Sequence, residues 1–198
     1  MNNRLIINIF RFVGLLLLQV LVIDNIRLGF YVHPYVYVLF ILLLPFNIPN
    51  WQLLMLGFVS GFAIDLFNGT PGLNAAATVF MAFVRPFVIN SMTRRKEINP
   101  NDEPSINNMG TSWFIVYSLI LLSVHNLSLF ILEAFSLKLL GTVITQTLMS
   151  VLSSLLLIVI ILLLFKKNRK NQKKINRQFY KKVLICLSFV LLLGVTFI

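Results

Sequence analysis

Long apolar runs separated by short polar breaks organise this chain from one end to the other. Runs at 5–23, 73–92, 113–132 and 139–165 each approach or exceed the ~20 residues that carry a helix across a bilayer. The stretch 35–67 is too long for one such helix, and Pro45, Asn47, Pro49 and Asn50 place a turn signal in its middle. It reads either as two short helices or as a hairpin that dips into the bilayer. Both versions return the chain to the side it left. The last run, 183–198, is short for a span unless Phe179, Tyr180, Lys181 and Lys182 extend it by snorkelling. The pattern predicts an all-α integral membrane protein with about six transmembrane helices and an extra C-terminal apolar segment. The multispanning domain covers 1–170, and 171–198 forms a basic linker and a candidate seventh segment.

Composition agrees with that pattern and removes other classes. With 58% hydrophobic and 12% charged residues, the chain lies outside the range of soluble domains. The net charge of +11 does not point to nucleic acid, because nine of the 17 basic residues sit between Lys166 and Lys182, beside apolar runs. Basic residues so placed are anchors at anionic lipid. Arg4, Arg94, Arg95, Lys96 and that cluster fall on one side, against Arg27 and Lys138 on the other. The positive-inside rule then predicts a cytoplasmic N-terminus. No small-residue cleavage site follows the first run, which reads as a retained helix, not a signal peptide. Cys186 is the single cysteine, so an intrachain disulfide and a cysteine zinc cluster are both excluded.

Polar residues inside the apolar runs are the candidates for function. A charge at the centre of a spanning helix costs about 2.5–3.5 kcal/mol on insertion scales. Asp65 must therefore be buried in protein, placed at the interface, or used. It precedes Asn68, Gly69, Pro71 and Gly72, a tight exit tolerant of positive φ, and then Asn74 at the start of the next helix. One reading makes Asp65 a corner acid that bonds the turn and the following helix N-terminus; the other makes it an ion or substrate ligand. Gly57 and Gly61, four residues apart, permit close approach of the small face at Ala75, Ala76 and Ala77, within the subunit or at a partner. Arg85, before Pro86, snorkels to the surface or donates to carbonyls that the proline frees. Arg11 admits the same snorkelling account. His125 and Asn126, with Glu133 two turns on, form a candidate polar seam that closes in a Glu133 and Lys138 pair. The loop 91–111 is the one long polar connection between helices, and reads as flexible and solvated. No metal-ligand spacing, nucleophile with a base, phosphate loop or dinucleotide fingerprint occurs, which predicts a non-enzymatic protein with no metal, catalytic site or cofactor.

The glycine, aspartate, glycine and proline order of residues 57–74, together with 122–136 (LSVHNLSLFILEAFS), resembles MreD, a rod shape-determining membrane protein of bacteria. The resemblance covers about residues 1–170. It implies a component of the cell-elongation and peptidoglycan-synthesis machinery in the cytoplasmic membrane, working with MreC, MreB, RodA and a class B penicillin-binding protein. It also implies a fold similar to the six-helix substrate-binding subunits of energy-coupling-factor vitamin transporters. Asp65, Gly69, Gly72 and Asn74 would then shape an outward corner. The alternative is a small-molecule binding subunit of a transporter, its cavity lined by Asp65, Asn74, His125 and Asn126. Residues 171–198 go beyond the usual MreD end and look like the opening of a transpeptidase anchor, as a fusion or read-through would give.

Overall fold

A computed structural model of the protein describes residues 2–25, 33–93, 102–134 and 140–164. Among these residues the chain is all-helical. α1 (Asn2–Leu18) runs on into a single π turn, Gln19–Ile23. α2 (Leu39–Leu42) is one turn long, α3 covers Asn50–Asn68 and α4 covers Leu73–Thr93. α5 (Ile106–Met109) is a second single turn, followed by α6 (Thr111–Ala134) and α7 (Leu140–Leu164). Among the described residues, five helical stretches are long and apolar enough to cross a membrane: Ile6–Ile23, Asn50–Asn68, Leu73–Thr93, Thr111–Ala134 and Gly141–Leu162.

The stretch 35–67 divides unequally, unlike either expectation for it. Its second half is a full-length helix, α3. Its first half is a mostly non-helical arm, 33–48, with the single turn α2 inside it. Pro49, in extended conformation (φ −65°, ψ 142°), sets the boundary and starts α3. The arm is the centre of the molecule: Val36, Val38, Ile41 and Leu42 have no exposed surface. Irregular backbone survives at such depth only where protein encloses it and satisfies its polar groups. The arm enters beside the end of α1, where the Pro34 carbonyl accepts from Gln19, and reaches the opposite end of the bundle, where the Phe46 N–H donates to the Asp102 carbonyl at 3.1 Å.

α3 and α4 form the closest helix pair. A Cβ on Gly61 would lie 2.6 Å from the Ala75 Cα, and one on Gly57 would lie 3.1 Å from the Ala82 Cβ. The small-residue face therefore packs within the subunit, where dispersion replaces the missing hydrophobic drive between helices in lipid. α4 continues unbroken through Pro86.

The loop 91–111 also departs from its expected solvation. Its residues 102–110 dock on the bundle: Pro104 is buried, Glu103 pairs with Arg11 at 3.1 Å, and Ile106 packs against the core. Arg11 thus has a specific acidic partner in place of a snorkelling role. Residues 171–198, with their expected seventh segment, and Lys138 lie outside the described residues.

A candidate polar site inside the bundle

Asp65 caps the helix that follows its own. The Gly69 residue takes a left-handed conformation (φ +66°) that ends α3, and Gly72 (φ +80°) turns the chain into α4. This short exit brings the first N–H groups of α4 over the Asp65 carboxylate. Oδ1 accepts from the Asn74 N–H at 3.1 Å and from Asn74 Nδ2 at 3.0 Å, and Oδ2 accepts from the Ala75 N–H at 2.9 Å. The Thr70 hydroxyl donates to Oδ1 as well. The carboxylate is buried, with four donors around it and the positive end of α4 ahead of it. Pro71 lies on the exposed outside of this turn.

From this corner a thread of hydrogen bonds runs into the interior. The Thr78 hydroxyl donates to the Asn74 carbonyl at 2.7 Å. Tyr37 of the arm meets Thr78 Oγ1 at 2.9 Å and His125 Nε2 at 2.8 Å. The proton order follows by elimination. Thr78 has one hydrogen, committed to a carbonyl that can only accept, so the Tyr37 hydroxyl donates to Thr78. The Tyr37 hydrogen is then used, so His125 donates from Nε2. In a neutral His125 this assignment leaves Nδ1 bare, and that atom has no hydrogen-bond partner. The rings of Tyr35 and Tyr37 stand edge-on to the imidazole at 5.4 and 5.7 Å.

The two ends of the arm are held by side chains. At the corner end Gln19, fully buried, accepts from the Val36 N–H at 2.8 Å and from the Tyr37 N–H at 3.4 Å, and donates to the Pro34 carbonyl at 3.0 Å. Ser150 and Ser154 of α7 accept from the His33 and Tyr35 N–H groups at 3.1 and 2.8 Å. At the far end Arg85, 1% exposed, donates from Nε to the Tyr117 hydroxyl at 2.9 Å and from Nη2 to the Leu44 carbonyl. Tyr117 donates in turn to the Leu42 carbonyl at 3.1 Å. Arg85 therefore does not snorkel. It satisfies the carbonyl of the buried Leu44.

Of the sequence candidates, Asp65, Asn74 and His125 join one network, and Gly57, Gly61, Gly69 and Gly72 shape the corner around it. Asn126 is buried on α6, but its amide donates only to the Leu122 carbonyl of its own helix and its Oδ1 has no partner. Glu133 is exposed, at the end of α6. Sequence reasoning passed over Gln19, Tyr37, Thr78 and Tyr117, whose one signal is a polar atom within an apolar run. Among the described residues no three of the histidine, aspartate and glutamate side chains gather as metal ligands would. No family model, curated protein or solved structure matches the chain.

Proposed function

We propose that this protein is a non-enzymatic scaffold of the bacterial cell-elongation machinery, set in the cytoplasmic membrane with its N-terminus inside. The observation that carries the scaffold reading is how the polar groups are used. Asp65, Gln19, Arg85 and Tyr37 are spent on the bundle's own backbone and on neighbouring side chains within it. Large side chains face outward instead: Trp51, Phe58 and Phe62 on α3, and Phe83 and Phe87 on α4. A rigid interior with an aromatic exterior suits a protein that presents helix faces to other membrane spans. The resemblance of residues 57–74 and 122–136 to MreD supplies the cellular context, with MreC-like, MreB-like, RodA-like and class B penicillin-binding partners. The arm, running from one end of the bundle to the other, supports six crossings, the number in the transporter subunits that MreD resembles in fold.

The experiment is site-specific photocrosslinking in growing cells, with the crosslinker at Phe58 or Phe83. The scaffold reading expects adducts with MreC-like or RodA-like chains. Adducts with lipid alone would contradict it.

A second reading, a small-molecule binding subunit of a transporter, draws on one feature. Asn74 Oδ1, His125 Nδ1 and Asn126 Oδ1 are buried polar atoms without partners, as atoms awaiting a ligand would be. It requires a saturable ligand for the purified protein and steep loss of binding in Asp65→Ala.

A further inference from the structure

Three buried atoms toward the corner end of the bundle have no hydrogen-bond partner: Asn74 Oδ1, His125 Nδ1 and Asn126 Oδ1. The other half of each group fixes which atom is left over. The Asn74 amide donates to Asp65 at 3.0 Å, the Asn126 amide donates to the Leu122 carbonyl at 2.9 Å, and His125 Nε2 donates to Tyr37 at 2.8 Å. Turning over either amide, or moving the imidazole proton, would break one of those bonds. The residues are also linked to one another. The Thr78 hydroxyl bonds the Asn74 carbonyl at 2.7 Å and lies 3.3 Å from His125 Nε2, and Asn126 follows His125 on α6.

All three atoms accept and none donates. The other unpartnered buried atoms, Trp113 Nε1 and Ser118 Oγ, lie two turns or more from His125 along α6, toward the opposite end. A buried acceptor without a donor lowers stability. Asn126 bears that penalty for a single bond to its own helix, where a leucine would bear none. The charges nearby have one sign as well. The described residues at this end carry the carboxylates of Asp24, Asp65 and Glu133, and no lysine or arginine. Asp24 and Glu133 lie close enough to the Tyr35 hydroxyl to act on it through space. Tyr35 is partly exposed, and its ring stands edge-on to the buried His125 at 5.4 Å and to Tyr37 at 6.3 Å. It connects the acidic rim to the buried imidazole. An anion would meet only carboxylates and acceptors here. An ammonium group brings N–H donors for the acceptors and a positive charge for the carboxylates, and aromatic rings favour it.

We propose that Asn74, His125 and Asn126 form a binding site for a primary ammonium group, entered from the rim past Tyr35. The inference rests on the small-molecule reading above and adds the chemistry of the ligand. It uses only atoms that the internal network leaves unspent.

The test is a titration of the full chain in lipid nanodiscs with n-butylammonium chloride at about pH 7, where the amine is charged. The imidazole ¹⁵N resonances of His125 and the melting temperature are followed, with n-butanol, sodium butyrate and potassium chloride as matched controls. The ammonium salt alone is expected to shift the Nδ1 resonance saturably, as that nitrogen gains a donor, and to raise the melting temperature. Asn126→Leu should melt no lower than wild type without ligand, yet bind the ammonium at least about tenfold more weakly, as loss of a charged hydrogen bond implies. Should that variant fail to fold, the wild-type titration decides alone. Saturable binding of butanol or butyrate in place of the ammonium would overturn the ligand class and leave the small-molecule reading standing. No saturable response to any of the four would overturn the site. An Nδ1 resonance already at its hydrogen-bonded position, and unmoved by the ammonium, would give these acceptors to internal water and overturn the site as well.

Discussion

Asp65 shows at the scale of a single residue how a carboxylate can sit in an apolar chain. Its charge is met by two backbone N–H groups, one amide and one hydroxyl, all within ten residues. Replacing it by alanine strips the cap from α4 and leaves buried donors unpaired, each worth about 1–3 kcal/mol. Asp65→Ala is expected to lower thermal stability in detergent markedly, and Asp65→Asn, which keeps an acceptor oxygen, by less. Equal stability for Asp65→Ala and wild type would contradict the cap. His125 carries a second expectation at this scale. The proton order of the thread requires the Nε2–H tautomer with Nδ1 bare, which the ¹⁵N shifts of the imidazole report directly. In Tyr37→Phe the Nε2 donor loses its main acceptor, and the shifts should move. An Nδ1–H tautomer in the wild type would break the order derived for Thr78 and Tyr37.

Among the elements, the arm is the one whose form depends most on its surroundings. Apart from the α4 N–H groups that Asp65 caps, the long helices bond their own backbones, whereas the arm borrows from Gln19, Ser150, Ser154, Arg85 and Tyr117. Arg85 serves two acceptors at once, the Leu44 carbonyl and the Tyr117 hydroxyl, through two nitrogens of a planar fork. Lysine has the charge but not the fork. Arg85→Lys and Arg85→Met are therefore both expected to destabilise the protein, by about 1–3 kcal/mol for the buried acceptors left unmade, and to raise exchange at 39–44. Wild-type behaviour in Arg85→Lys would show that charge alone suffices.

The same contrast explains how much of the molecule was legible in the sequence. Long apolar runs gave four of the five long helices to within two residues at most ends, because bilayer thickness sets their length. The corner was legible because Asp65, its turn and Asn74 are neighbours along the chain. The arm was not. Pro45 and Pro49 mark a turn, but nothing local says that one flank is a full helix and the other a non-helical core. Tyr37 meets Thr78 and His125, 41 and 88 residues away, and no periodicity encodes such pairs. Glu133 sits at the exposed end of α6, and Lys138, its expected partner, lies outside the described residues.

For the whole molecule, the bonded interior and the aromatic exterior are the basis of the proposed role, a fixed surface for other membrane chains of the elongation machinery. The measurement that tests this most directly is depletion of the protein in its native cell, with imaging of cell width and of the sites of new wall incorporation. The account predicts rounding or widening of the cells and scattered wall synthesis, reversed by the wild-type chain. Normal shape and normally placed wall synthesis, with a growth defect relieved by a single nutrient, would contradict it and favour the transporter reading.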